Sequence, residues 1–322
     1  MASGSRTAVV AVGGNSLIID KDHQSIPDQA AAAALTAHHI AELAVAGWNV
    51  VVTHGSGPQV GFILRRSEIA IDEVPPVPMD YAAADLQGAI GWMFQRALRN
   101  EFRRRQMARK AITVVTQVLV DRADPAFADP TKPIGSYMDE ATAGRRAAEL
   151  GWIVREDAGR GWRRVVASPL PQAIVEIDEI AHLAEAGYVV VACGGGGIPV
   201  FADEAGDLQG VEAVIDKDLA SSMLARQLDA ELLLISTGVP RVAIDYGKPG
   251  QRWVERMSRA DAERWLAEGQ FPEGSMAPKI RAILGFLDRP GRRSLITDPP
   301  SIGRALAGQA GTVVTFDDDV AG

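Results

Sequence analysis

Short runs that are apolar at every position alternate along this chain with longer stretches that are apolar only at helical spacing. The first run, Ala8-Val-Val-Ala-Val12, ends in Gly13-Gly14-Asn15. An Ala-rich stretch from Asp28 to Ala46 reads as a helix, with Asp28 as its expected N-cap and Gly47 as its stop. Trp48 to Thr53 reads as a second strand, broken by His54-Gly-Ser-Gly-Pro58. A helix is expected from Ala82 to Arg105, then a strand from Ala111 to Val120. A run without polar positions suits a strand covered on both faces. The alternation therefore predicts a mainly parallel sheet between two helical layers.

The middle of the chain breaks this pattern. Between Asp121 and Pro171 stand Pro125, Pro130, Pro133 and Pro169, several charges, and only short apolar pieces such as Trp152 to Val154. This segment reads as an insertion or small subdomain. Strand patterning resumes at Tyr188 to Cys193 and runs into Gly194 to Gly197. A helix from Lys217 to Leu228 and a strand from Leu232 to Ser236 follow, with Thr237-Gly238 at the strand end. Further helices are expected from Arg259 to Glu268 and from about Pro278, proline being tolerated in a first helical turn.

Composition narrows the class. The chain has 322 residues, with 41 acidic side chains against 33 Lys and Arg, a net charge of −8. Nucleic-acid binding wants a basic stripe, so that partner is disfavoured. With one cysteine, Cys193, no intramolecular disulfide can form, which fits a reducing compartment. No apolar run approaches a bilayer span, and Met1 to Arg6 lacks the features of a leader. A soluble, cytoplasmic protein is the expectation.

Three glycine turns follow apolar strands: Gly13-Gly14, Gly55-Ser56-Gly57 and Gly194 to Gly197. Ligands of open parallel sheets gather at the carboxyl ends of strands, and glycine lets backbone N–H groups approach anionic oxygens. Three such turns favour an oxyanion or phosphate site. The Walker A loop, the G-x-G-x-x-G fingerprint and the G-x-S-x-G elbow are all missing. His38 and His39, about 100° apart on a helix, are expected to make a poor chelate, and no protein-built metal site is expected. His54 reads as a ring packed beside its glycine turn, and Cys193 as a small buried side chain. Three lysines stand out: Lys132 between prolines, Lys217 between Asp216 and Asp218, and Lys279 in a first helical turn. A cation there opposes the helix dipole and is explained if a polyanion binds the same end. Placed cations and backbone N–H groups are what phosphoryl transfer asks of a protein.

Val10-Ala-Val-Gly-Gly-Asn15, His54-Gly-Ser-Gly-Pro-Gln-Val-Gly61, Asp129-Pro-Thr-Lys-Pro-Ile-Gly135, Glu156-Asp-Ala-Gly-Arg-Gly-Trp-Arg163, Cys193 to Pro199, Gly210 to Asp218 and Gly274-Ser-Met-Ala-Pro-Lys279 together resemble carbamate kinase, of the amino acid kinase superfamily. The resemblance covers about Ala8 to Val314. It implies an open three-layer αβα sandwich of two lobes with a small protruding subdomain. The acceptor lobe would span about 1–120 and 167–187, the lid 121–166 and the nucleotide lobe 188–322. It implies reversible phosphoryl transfer between ATP and carbamate, run towards ATP, with Mg²⁺ held mainly by phosphates, in a homodimer serving arginine metabolism. By the same resemblance Gly13, Gly14 and Asn15 would hold the moving phosphoryl oxygens, and Gly55, Ser56, Gly57, Gly195 and Gly196 would face the substrate. Lys132, Lys217 and Lys279 would stabilise the transferring group, with Asp216 orienting the lysines. Thr237, Gly238, Tyr246, Lys248 and Met276, with Lys279, would line the nucleotide pocket.

Four positions depart from the family pattern. Ser56 stands where asparagine is usual, Pro240 where aspartate is common, Leu170 for a frequent lysine and Ser136 for a frequent proline. Serine removes a two-ended amide and opens space in the acceptor pocket. Two alternatives therefore stay open: a kinase of another small carboxylate or phosphonate, and a non-catalytic nucleotide-binding regulator.

Overall fold

The computed structural model describes residues 6–316 apart from 15, 16, 19, 21, 157–160 and 274. In chain order come β1 (Thr7–Val12), α1 (Ile26–Val45), β2 (Asn49–His54), α2 (Gly57–Ile69), α3 (Met79–Arg104) and β3 (Ala111–Thr113). Then follow β4 (Gln117–Val120), α4 (Pro125–Ala128), β5 (Lys132–Met138), α5 (Glu140–Leu150), β6 (Val154–Glu156), β7 (Trp162–Val166) and β8 (Pro171–Ile174). Next are α6 (Ile177–Glu185), β9 (Val189–Val191), β10 (Ile198–Ala202), β11 (Leu208–Gly210), α7 (Lys217–Gln227) and β12 (Leu232–Ser236). The chain closes with β13 (Val242–Ile244), β14 (Arg252–Val254), β15 (Arg256–Ser258), α8 (Arg259–Ala267), α9 (Met276–Phe286), β16 (Arg293–Thr297), α10 (Ile302–Leu306) and β17 (Thr312–Thr315).

An eight-stranded sheet in the order β15-β17-β16-β12-β1-β2-β9-β3 forms the middle layer. Its neighbours are parallel except β16 and β17. β1 lies near the centre and is buried on both faces from Ala8 to Val12. Alternation splits it between two cores: Ala8, Val10 and Val12 pack with Ile40, Phe94 and Phe102 of α1 and α3. Val9 and Ala11 pack on the other side with Leu224 of α7 and Ile280 and Ile283 of α9. That is the three-layer arrangement expected of the unbroken apolar runs.

Several boundaries differ from the sequence reading, each for a local reason. Ser25, not Asp28, caps α1. The Ser25 hydroxyl accepts from the Asp28 amide at 3.3 Å and the Asp28 carboxylate accepts from the Ser25 amide at 3.0 Å, a reciprocal box. Gly47 ends that helix at φ +85°, where a left-handed residue is needed. Ala111 to Val120 is two strands: β3 edges the large sheet, whereas β4 joins β8, β10 and β11 in a second sheet. Buried Gln87 holds the break, its side chain accepting from the Thr116 amide at 2.7 Å and donating to the Thr116 carbonyl at 2.9 Å. α2 was not foreseen, because its Gly57-Pro58 start reads as a turn.

The inserted segment carries its own antiparallel sheet, β5-β7-β6, with α5 beside it. Arg164 of β7 donates to Glu212 at 2.7 Å, and Glu212 accepts from the Met79 amide at 3.0 Å, which ties this sheet to the start of α3. β9 lies between β2 and β3, and β10 pairs with β4. Residues 189–202 thus run among the strands of the first half.

Candidate active site

The three glycine turns come together because their strands are neighbours. β12, β1, β2 and β9 are adjacent and parallel, so their carboxyl ends open on one edge of the sheet. Close approach explains the glycines. A Cβ on Gly13 would sit 2.9 Å from the Ser236 carbonyl oxygen, and one on Gly55 would sit 2.9 Å from the Gly14 amide nitrogen. The third turn is tighter. Gly196, at φ +103°, would place a Cβ 2.3 Å from the Ile215 carbonyl oxygen. Ser56 precedes α2 without capping it, and its hydroxyl abuts Gly195.

Two of the three lysines, Lys217 and Lys279, converge on Asp218, whereas Asp216, to which the sequence reading gave the orienting role, faces Lys132 alone. Lys217 Nζ lies 2.7 Å from Asp218 Oδ1, and Lys279 Nζ lies 2.9 Å from Asp218 Oδ2. Asp218 is 4% exposed. Burial alone would raise its carboxyl, but the two ammonium groups outweigh that and hold it at about 2. Asp216 is committed elsewhere. Its Oδ1 caps α7 by accepting from the amides of Asp218 at 2.9 Å and Leu219 at 3.3 Å. Its Oδ2 faces Lys132 of β5 at 3.6 Å.

Packing fixes these positions. Ser221 of α7 donates to the Lys217 carbonyl at 2.6 Å and lies 2.7 Å from the Thr53 hydroxyl of β2. Gly285 of α9 faces Ser222 of α7 closely, so α9 lies near enough for Lys279 to reach Asp218. A cavity of about 200 Å³ results, lined by Gly55, Ser56, Gly57, Gly195, Lys132 and Lys217, with Asp216 and Asp218 also on its wall. Met79 and Ala83 of α3 close its far side. That volume suits a small anion. A larger recess of about 590 Å³ between α2 and the inserted sheet holds none of the three lysines.

Other residues fall outside the cluster. Thr237 lies beside Gly13, its amide donating to the Thr297 carbonyl at 2.8 Å. Met276 opens α9 one turn before Lys279, and Gly238 is exposed. Tyr246 and Lys248 stand exposed on the β13–β14 hairpin, where Lys248 pairs with Asp245 at 3.4 Å. Asn15 and Gly274 lie outside the described residues, as does the stretch 157–160. His54 is buried behind its glycine turn, against Phe94 and Gly194. Burial lowers it to about 4, so it is neutral at physiological pH. Cys193 is buried too, which pushes its thiol up and leaves it unreactive. His38 and His39 do not diverge as expected: their rings meet edge to face with centroids 5.2 Å apart.

Sequence reasoning missed Asp218 and Gln87. Asp218 had no distinguishing signal, since Lys217 is flanked by two aspartates. Gln87 had one, a polar residue on the apolar face of α3; besides holding Thr116 it donates to the Gly194 carbonyl at 3.2 Å and so pins the third glycine turn.

Comparison with known proteins identifies the family and the fold. The profile of the amino acid kinase family matches residues 6–298. The carbamate kinase-like protein YahI of Escherichia coli (strain K12) is 48% identical, covering 94% of this chain and 97% of its own. A carbamate kinase of Pyrococcus horikoshii is 45% identical over 95% of this chain and 98% of its own. The structure of carbamate kinase from Giardia lamblia bound to AMP-PNP superposes with a TM-score of 0.92 at 39% identity, over 98% of this chain and 99% of that one.

Proposed function

Since the chain belongs to the amino acid kinase family and to its carbamate kinases, we infer that it interconverts ATP and carbamate with ADP and carbamoyl phosphate. The observation that carries this at the level of residues is the meeting of Lys217 and Lys279 on one buried carboxylate beside a glycine-lined cavity. The other two readings, a different small acid acceptor or a non-catalytic regulator, have no observation in their favour.

In the direction of ATP synthesis, an oxygen of the ADP β-phosphate attacks the phosphorus of carbamoyl phosphate. A new P–O bond forms as the bond to the carbamate oxygen breaks, and carbamate leaves as an anion. No proton need move, so no general base is required, in keeping with a neutral, buried His54. The difficulty is repulsion between anions. Two unit charges 4 Å apart cost about 1 kcal/mol in water and several times more in a dry site. Lys217 and Lys279 offset that charge from the α7 and α9 side, and Lys132 does so from the inserted sheet. Amides of the turns at Gly14, Gly57 and Gly195 add donors on the opposite wall, where Ser56 also belongs, whereas those of Gly13, Gly55 and Gly196 are spent on the carbonyls of Ser236, Val12 and Cys193 and shape the turns instead. Asp218 sets the spacing of the two buried lysines, and Asp216 positions Lys132.

ATP and ADP occupy the side of Thr237, Gly238 and Met276, with Tyr246 and Lys248 reaching in from their hairpin. Magnesium bound to the nucleotide would supply further positive charge at the phosphates. Both carboxylates at the cavity are engaged by lysines, so phosphate oxygens and water are the donors left to hold it. Residues 121–166 act as a lid. The acceptor lobe comprises about 1–120 and 167–187 together with β9 to β11, and the remainder is the nucleotide lobe. A cytoplasmic homodimer that makes ATP within arginine metabolism completes the reading. Tyr81 and Trp92, exposed and eleven residues apart on one face of α3, supply apolar surface for such pairing. No helix among the described residues is long and apolar enough to cross a membrane.

The test is ATP formation from carbamoyl phosphate and Mg-ADP by purified protein, with Lys217→Ala as control. Turnover that the control loses supports the reading. A wild type that binds nucleotide yet forms no ATP overturns it.

A further inference from the structure

We propose that His38, His39 and Glu42 of α1 bind one borderline transition-metal ion, of the zinc, cobalt or nickel class, at a site separate from the phosphoryl-transfer cleft. The cleft lies at the carboxyl ends of the strands. These three residues lie in the second half of α1, towards the opposite edge, where that helix hands over to β2.

Glu42 lies one helical turn beyond the adjacent His38 and His39, at i+4 and i+3 from them, and side chains three or four residues apart share a face. One nitrogen from each ring and one Glu42 carboxylate oxygen lie within 4.8 Å of one another. Ligands at about 2.1 Å from a tetrahedral ion stand roughly 3.4 Å apart, so modest side-chain rotations would close the set. Two imidazoles with one carboxylate suit borderline ions, whereas Mg²⁺ and Ca²⁺ prefer an all-oxygen shell. Three protein ligands leave a fourth position for water.

The surroundings support the assignment independently of spacing. Buried Glu101 of α3 places Oε1 2.9 Å from His38 Nδ1, and a carboxylate behind an imidazole both fixes the ring and strengthens it as a ligand. Glu101 is itself fixed by Arg104 and Arg105, each of which donates to it at 2.6 Å. Glu42 Oε2 is buried without a hydrogen-bond partner, packed against Gly303 of α10. An unsatisfied buried carboxylate oxygen is costly, and a cation satisfies it. The opposing charge is Arg105. Its guanidinium is engaged by Glu101 at 2.6 Å and by the His38 carbonyl at 2.9 Å, and it also lies 3.3 Å from His38 Nδ1, which leaves Nε2 as the nitrogen of that ring that faces the ion.

The experiment uses tag-free, full-length protein stripped with chelator and free of nucleotide, titrated with Zn²⁺ by calorimetry and with Co²⁺ by visible absorption. One saturable equivalent at micromolar Kd is expected, with intense low-coordination Co²⁺ bands and a melting temperature raised by about 2–3 °C. His39→Gln and Glu42→Gln should each weaken binding at least about tenfold and abolish the Co²⁺ bands, as loss of a ligand does. Their circular dichroism and turnover should stay at wild-type levels, since neither touches the cleft. Absence of a one-equivalent site overturns the proposal. So does binding that survives both substitutions, which would mark an adventitious ion, for instance at the exposed His23–Asp20 pair.

Discussion

Replacing Asp218 by asparagine tests the cluster most sharply, because one carboxylate holds two ammonium groups. Its contacts are 2.7 Å to Lys217 and 2.9 Å to Lys279, and both lysine side chains are less than one-fifth exposed. At an effective dielectric of about 20, each contact represents roughly 6 kcal/mol of gross attraction, much of it offset by desolvation. The isosteric amide removes the attraction but leaves two cations facing each other in a confined space. Loss of one partner from a buried pair costs about 3–5 kcal/mol, so the urea midpoint of Asp218→Asn should fall markedly. Saturating Mg-ADP should recover part of that loss, because phosphate replaces the missing negative charge. Turnover should drop about a hundredfold, as expected when a reacting-centre group shifts by about 1 Å. Acid unfolding supplies an independent check. The Asp218 carboxyl lies at about 2 against an ordinary 3.8, so its stabilisation is complete above about pH 4 and is lost as pH falls towards 2. The variant should lack that part of the acid limb. A variant with the wild-type midpoint and turnover within threefold would refute the reasoning.

Other positions carry separate expectations. His54 is held neutral to about 4 against 6.5 in the unfolded chain, so stability should decline as pH falls from about 6.5 to 4, by up to roughly 3 kcal/mol. In His54→Gln that segment of the pH–stability curve should flatten, and an unchanged slope would exclude the assignment. Gly196→Ala forces a Cβ to 2.3 Å from a carbonyl oxygen at φ +103° and should fold poorly, whereas Gly57→Ala meets nothing within 4 Å and should keep wild-type circular dichroism. Equal behaviour of the two would contradict the close-packing account of the third turn. Lys132→Ala breaks a half-exposed pair at 3.6 Å worth at most about 1 kcal/mol, so stability should hold while kcat/KM for carbamoyl phosphate falls at least about tenfold. Unaltered kinetics would remove Lys132 from the reaction.

The legible parts of the fold are those where burial is complete. β1, β2 and β12 lie inside the central layer, so each carries an unbroken apolar run (Ala8 to Val12, Val50 to Val52, Leu232 to Ile235) that cannot be mistaken for a surface strand. α2 escaped because its glycine and proline are turn residues by propensity; it is a helix because the β2 chain end and the packing of Val60 and Leu64 hold it there. The division of Ala111 to Val120 between two sheets depends on Gln87, some 30 residues away, which no local pattern reveals. At the site, the lysines were legible from their odd settings: between prolines, between aspartates, and in a first helical turn. Which aspartate holds them was not. That choice follows from helix geometry, since the residue at the N-cap spends its oxygen on α7 and the one a half-turn later points inward. His38 and His39 leave α1 in different directions, and that their rings nonetheless meet edge to face follows from side-chain rotation, which residue spacing does not report.

The most direct measurement is phosphorus NMR of wild-type protein with Mg-ADP and carbamoyl phosphate, run beside acetyl phosphate and a phosphonic–phosphoric anhydride at equal concentration. Loss of the carbamoyl phosphate resonance with matching growth of the ATP γ signal is expected, together with the reverse transfer from ATP to carbamate and only slow use of the other donors. Preferential consumption of another donor, or no transfer by folded protein that binds ADP, would contradict the assignment of carbamate as the acceptor.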